Sequence, residues 1–166
     1  MEQDNIGELL AEQLDRLFTD TVDRELIVSV ENGEPATSLW NELENLGVLS
    51  ALASEEHGGV ALKWSAIEPV VRAAGRHGAP VPFVETLIAN WLLSQAGITP
   101  PSGRIAIATE IFQLADDNAI SGIGTAGWLT EAEHIAVVAE RNAQKFVCLM
   151  ATNQVNYASI ETIARE

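Results

Sequence analysis

Cysteine is nearly missing from this chain of 166 residues, since Cys148 is the only one. A disulfide within the chain and a zinc cluster built on thiolates are therefore excluded. The flanking run Phe146-Val147-Cys148-Leu149-Met150 marks it as a small buried hydrophobe rather than a nucleophile. Basic residues are also few, nine against 24 acidic ones, for a formal charge of -15. Phosphate backbones and anionic membrane surfaces would repel such a chain, so nucleic-acid binding is not expected. No segment approaches the roughly 18 uninterrupted apolar residues of a membrane span, and the MEQDNIGELL start lacks the basic and apolar parts of a secretory signal. The expected compartment is the cytoplasm, without membrane insertion. The three histidines, His57, His77 and His134, lie far apart with no ligand spacing, so no metal site is expected. No internal repeat or low-complexity tract is present.

What remains is a globular composition, 47% apolar, ordered into two kinds of pattern. Ile6, Leu9, Leu10, Leu14, Leu17 and Phe18 recur at three- and four-residue steps and predict a first helix, capped by Asp4 or Asn5. Val22, Leu26, Ile27 and Val30 predict a second helix or a kinked continuation, stopped at Asn32-Gly33. A third helix starts near Thr37 or Ser38, carries Leu39, Trp40, Leu43 and Leu46 on one face, and ends at a left-handed Gly47. Beyond it Glu55-Glu56-His57-Gly58-Gly59 reads as an exposed acidic turn. Ser65-Ala66-Ile67-Glu68 has the form of a capping box for a fourth helix, with Pro69 in its first turn and Ile67, Val70, Val71 and Ala74 buried. Glu68, Arg72 and Arg76 fall four apart on its other side, and His77 lies at its C-terminus, where a cation suits the helix dipole. Phe83 to Gln95 is apolar around more than half its circumference and predicts a fifth helix, buried between neighbours. Gly97 and Thr99-Pro100-Pro101-Ser102-Gly103 then form a linker.

After the linker the period becomes strand-like. Ile105, Ile107 and Thr109 alternate with Ala106 and Ala108, and His134–Ala139 and Lys145–Ala151 form a predicted hairpin about the polar turn 140–144. The looser segment with Gly122, Gly124 and Gly127 has room for another strand, as does the tail from Asn153 to Ser159. The fold class expected is α+β: an all-α N-terminal bundle of about five helices over residues 1–99, then an antiparallel, partial β-domain over 100–166.

The stretch LWNELENLGVLSALASEEHGG, Leu39–Gly59, resembles the "lw..l.elGl.gl..peehGG" signature of the acyl-CoA dehydrogenase N-terminal domain. The resemblance continues through VVRAAGRHGAPVPFVETLIANWLL and returns in GRIAIATE and AEHIAVVAE, covering about residues 1–150. It implies a helical domain followed by the start of a β-barrel-like middle domain, in a protein that oxidises the Cα–Cβ bond of an acyl-CoA thioester with hydride transfer to FAD. A homo- or hetero-oligomer is implied too. Ala106-Ile107-Ala108-Thr109-Glu110 is similar to the family's flavin-contacting strand, which makes Thr109 the first cofactor-binding candidate. Trp128-Leu129-Thr130 is similar to the Trp-Ile-Thr element beside the flavin and adds Trp128 and Thr130. The family's catalytic base is a glutamate of the C-terminal domain, so the resemblance assigns no catalytic residue here and implies a further domain or a partner.

The Pro-Gly-x-Gly-Ser-Asp loop of the family is replaced by Ile111-Phe112-Gln113-Leu114-Ala115-Asp116-Asp117. Compact relatives that work as unlike-subunit pairs on steroid or other bulky acyl-CoAs look closer. The alternative is a degenerate, non-catalytic subunit that stabilises an active partner; a helical binding module with a β-appendage is the unrelated possibility. Arg72, Arg76 and Arg104 suit either the phosphates of CoA or FAD or surface ion pairs.

Overall fold

A computed structural model describes residues 2–160. Five helices come first: α1 (Glu2–Thr21), α2 (Arg24–Glu31), α3 (Thr37–Asn45), α4 (Trp64–His77) and α5 (Phe83–Gln95). Strands β1 (Ile105–Leu114), β2 (Ile120–Ser121), β3 (His134–Arg141) and β4 (Gln144–Ala151) follow in one sheet of order β2-β1-β3-β4.

Helix α1 already runs from Glu2, upstream of both expected caps. The break before α2 is made by Asp23, whose carboxylate accepts the Leu26 N–H at 2.8 Å. Gly47 is left-handed with φ 68°, as the pattern after α3 requires. The capping box at Ser65 does not form. Helix α4 begins at Trp64, whose ring meets the edge of Trp91 at 5.2 Å, so Ser65 lies inside the first turn and Pro69 in the second. Glu68 and Arg72 do pair along this helix. Arg76 instead reaches Asp15 of α1 at 2.8 Å, and His77 meets the same carboxylate at 2.9 Å. Helices α1 and α4 pack closely because Gly7 carries no side chain: a Cβ there would overlap the Ala66 carbonyl.

The helical core gathers Leu14, Phe18, Trp40, Leu43, Val70 and Leu87. A second cluster joins helix to sheet, with Ala89 and Leu93 of α5 on Ile105 and Ala136. On the opposite sheet face Ala106, Ala108, Ile135 and Val137 pack under Ala126, Leu129 and Ala132 of the connection before β3. That alternation of faces is the two-residue strand period.

Two expectations about the sheet are corrected. Strands β3 and β4 form the antiparallel hairpin, but β1 and β3 run parallel, with Ile105 opposite His134 and Ile107 opposite Ala136. A crossover from Ala115 to Glu133 makes that direction possible. The tail is the second correction. After β4 the chain makes a single turn at Thr152–Gln154, and no further strand follows among the described residues. Thr152 causes the turn, its hydroxyl donating to the Ala132 carbonyl at 2.9 Å. Residues 161–166 of the expected β segment lie outside the described residues.

Polar side chains on α5 tie the layers together. The Thr86 hydroxyl accepts the Ile105 N–H at 3.1 Å and lies 3.3 Å from the Ile105 carbonyl. Asn90 donates to the Leu49 carbonyl at 2.9 Å, and the Ser94 hydroxyl accepts the Ser54 N–H at 2.9 Å.

Two stability tests follow from this packing. Gly7→Ala is expected to lower stability by about 1–2 kcal/mol, overpacking exceeding the gain in helix propensity, while Gly75→Ala, which faces open space, raises it by about 0.5–1 kcal/mol. Opposite shifts in melting temperature would verify this. Thr86→Val keeps the shape but leaves the buried Ile105 N–H unpaired, at a cost of about 1–3 kcal/mol, read as a lower denaturant midpoint.

Candidate functional site

Thr109 occupies an irregularity in β1. Between the pairs Ile107/Ala136 and Ile111/Val138 the strand advances four residues while β3 advances two. A bulge of this kind frees backbone from the ladder and re-aims side chains. The Thr109 N–H accordingly donates away from the sheet, to the Thr125 carbonyl at 3.2 Å, and the two threonine hydroxyls lie 3.1 Å apart. Glu110 completes the contact: its carboxylate accepts the Thr125 N–H at 2.7 Å and the Thr125 hydroxyl at 3.1 Å. These bonds, the backbone one foremost, hold the Glu110 carboxyl below its ordinary value.

The connection that carries Thr125 lies flat on β1 because it is glycine-rich. A Cβ at Gly124 would come within 2.6 Å of a Glu110 oxygen and 2.8 Å of the Phe112 ring, and one at Gly122 within 2.8 Å of the same ring. Ile123 between them is 98% exposed. Strand β1 continues through Ile111–Leu114, which pair with β2 and β3, and Ala115–Asp117 lie in the turn that follows.

Trp128 and Thr130 sit on a turn farther along the connection. Trp128 is left-handed with φ 61°, and its carbonyl accepts the N–H groups of Glu131 and Ala132 at 3.0 and 3.1 Å. Its indole is half-buried, and Thr130 is exposed. Leu129, between them, points into the sheet cluster. Thr125 is what links this turn to Thr109; no hydrogen bond among the described residues joins Thr109 directly to Trp128 or Thr130.

The donor set can be tested against a flavin edge. Thr125 gives its hydroxyl hydrogen to Glu110, so Thr109 supplies the hydrogen between the two hydroxyls. Thr109 therefore keeps lone pairs for a ring N–H, whereas a ring acceptor would have to displace Thr125. The exposed Thr130 hydroxyl is a second polar point. The described residues thus offer polar points at Thr109 and Thr130 and do not by themselves enclose a ring.

Beside this region lies a cation whose burial the sequence did not foretell. Arg104, for which the sequence suited either a cofactor phosphate or a surface ion pair, is 7% exposed, lies 5.1 Å over the Trp40 ring and reaches Glu133 at 3.6 Å. Its Nε and one terminal nitrogen find no hydrogen-bond partner among the described residues. Glu131 nearby has its carboxyl raised by burial, which Arg104 partly opposes. The signal was available in the order Gly103-Arg104-Ile105, a lone cation leading into an apolar strand.

His57, in its turn, contacts the Thr99 hydroxyl at 3.1 Å, and His134 opens β3. Gly58 is left-handed with φ 82°, while a Cβ at Gly59 would overlap the Ala53 and Ser50 carbonyls, so the two glycines of the motif serve different ends. Cys148 is half-buried in the sheet cluster, and burial raises its thiol. No cluster of three His, Cys, Asp or Glu side chains suited to a metal occurs among the described residues. No helix among them is long and apolar enough to cross a membrane.

No family model and no curated protein matches this chain. Solved structures do. A variant of the Tcur3481-Tcur3483 steroid ACAD has 23% identity and a TM-score of 0.76, over 91% of this chain and 49% of the other. The ChsE4-ChsE5 complex from Mycobacterium tuberculosis has 20% identity and a TM-score of 0.72, over 87% and 46%. At such identities the likeness is one of fold: helices followed by a curled sheet, as in the helical domain and the start of the middle domain of an acyl-CoA dehydrogenase. The chain spans about half the length of these solved chains.

Glu110→Gln removes a charged acceptor from Thr125 and is expected to speed amide exchange at Thr125 while leaving Ile135 in β3 protected. The folded-state value of Glu110 lies below the ordinary 4.5. Its contribution is therefore present above about pH 4.5 and fades as pH falls through the lower folded value. The wild-type Thr125 amide should accordingly lose protection on acidification, and the glutamine variant should not respond.

Proposed function

We propose that this chain is one part of an acyl-CoA dehydrogenase-type flavoprotein, supplying the helical domain and one wall of the flavin site, and that a further domain or partner chain completes it. The observation that carries the reading is the agreement in fold with steroid ACAD chains over 91% of this chain but only 49% of theirs. FAD, when bound, supplies the acceptor for the hydride lost from the β-carbon of an acyl-CoA thioester. Thr109 and Thr130 would offer hydroxyls to the ring, and the half-buried Trp128 would supply an aromatic neighbour.

The base that takes the α-proton comes from outside this chain. Glu110 is the carboxylate beside Thr109, but its hydrogen bonds to Thr125 stabilise the charged form and make it a weaker base. A bulky, steroid-like acyl group is the first substrate class to test, by analogy with the solved assemblies.

A second reading has its own observation. Strand β1 runs on where the family's loop would lie, and the Thr109 hydrogen is already given to Thr125. Both features suit a non-catalytic subunit that stabilises an active partner.

The visible spectrum of the purified complex separates the readings. If this chain contacts the flavin, Thr109→Val should weaken FAD retention about fivefold, the worth of one hydrogen bond. The flavin bands of the wild-type complex should bleach on addition of an acyl-CoA. Unchanged retention in the variant would support the non-catalytic subunit, and a colourless complex inert to acyl-CoA would overturn the flavoprotein assignment.

A further inference from the structure

Two opposite charges lie covered and unpaired beside the turn that carries Trp128 and Thr130. Glu133 takes up the Arg104 N–H at 2.6 Å and faces the Nη1 end of the guanidinium, which leaves Nε and Nη2 buried without an acceptor among the described residues. Glu131 has the complementary defect. Its Oε2 is shut off from solvent and meets no donor among them. The backbone brings the two groups together, because the Arg104 carbonyl accepts the N–H groups of Glu133 and His134 at 3.1 and 3.3 Å, just beyond Glu131. The guanidinium charge also counters the rise that burial imposes on the Glu131 carboxyl. A buried charge without a partner is costly, whereas opposite charges that meet satisfy each other.

The turn itself is under strain. Trp128 holds φ 61°, a left-handed conformation that a bulky residue takes only where its surroundings enforce it. Two things enforce it here: the Trp128 carbonyl accepts the N–H groups of Glu131 and Ala132, and Leu129 rests on the sheet cluster. The ends of the turn differ. At Gly127 an added Cβ would meet open space, while Ala132 is 6% exposed and leads into Glu133, which is tied to Arg104. The segment between a free glycine and a fixed anchor is the part that can move.

We propose that residues 127–131 form a latch with a second arrangement, in which Trp128 leaves the left-handed region and the Glu131 carboxylate closes on Nε and Nη2 of Arg104. Closing removes the strain and the unpaired charges in one movement. It gives up the Leu129 contact and the two hydrogen bonds to the Trp128 carbonyl, and these opposing terms make the turn a two-state element. The latch belongs to the chain alone. Its role as a regulator, moving Trp128 and Thr130 at the proposed flavin edge, rests on the function proposed above.

The test is fluorine NMR of the full chain, in the assembly in which it purifies, with its four tryptophans replaced by fluorotryptophan. Trp128→Phe assigns the Trp128 signal, which should split in two or show exchange in relaxation dispersion. Glu131→Gln removes the charge from the latch and should lower the population of the second state about fivefold, the worth of one hydrogen bond. Arg104→Lys, which keeps the charge but loses Nε and Nη2, should do the same, and the double variant should go little further than either alone. Leu129→Ala loosens the docked turn and should raise that population about fivefold. Adding FAD to flavin-free protein should change the ratio of the two signals about threefold, because a ligand that contacts the turn favours one arrangement.

A single Trp128 signal without exchange, in the wild type and in Leu129→Ala alike, would overturn the latch. So would a second state whose population ignores Glu131→Gln, since the carboxylate would then have no part in it. Neither result needs flavin, so the latch can fail in a yellow complex that bleaches with acyl-CoA and leaves the proposed function intact. A signal ratio unmoved by FAD in protein that retains the flavin would overturn the regulatory role.

Discussion

The rest of the structure depends on α5 and on three hydrogen bonds made from one of its edges. Thr86, Asn90 and Ser94 stand four apart on an otherwise apolar helix, so they form a line along its axis. Each satisfies the backbone of a different segment: the first residue of β1, the turn after α3 and the loop before the Glu-Glu-His turn. Buried backbone groups need partners, and irregular segments cannot find them in a ladder. The helix thus serves as the ladder for segments that have none. Hydrophobic contact alone would hold the sheet against the helices, but it would not fix where β1 begins.

That starting point sets the geometry of the candidate site. Ile105 is held by Thr86, and β1 then keeps register with β3 as far as Ile107. The two extra residues are taken up at Thr109, which turns toward Thr125 instead of β3. The Gly122 backbone can approach Phe112 and the Gly124 backbone Glu110, because neither carries a side chain. The Thr109 contacts, the carboxyl of Glu110 and the path of the connection toward Trp128 are therefore one unit, fixed from the helical side of the molecule.

Much of the helical part could be read from residue order, because apolar spacing of three and four survives in any helix that buries one face. Leu39, Trp40 and Leu43 and the left-handed Gly47 are of this kind. The sheet was less legible. The hairpin of β3 and β4 is local and announces itself through two apolar runs and a polar turn, but the parallel pairing of β1 with β3 depends on a crossover whose path no local pattern encodes. Close approaches are equally silent, since Gly7 in sequence is only a weak helix former. At the candidate site Thr109 could be picked out by resemblance, whereas its bulge could not, although the resumption of apolar residues at Ile111-Phe112 hinted that the strand continues.

The scarcity of basic residues acquires a different meaning once their positions are known. Arg72 is tied to Glu68, Arg76 to Asp15, Arg104 lies over Trp40 and reaches Glu133, and Arg141 donates to the Ala115 carbonyl and covers Phe146. Four of nine cations act as struts within the fold, three of them on acids. The field outside is left to the acidic excess, and it slows the approach of a polyanion from solution. A neutral or cationic molecule meets no such barrier, so the surface sorts what approaches it by charge before any contact is made.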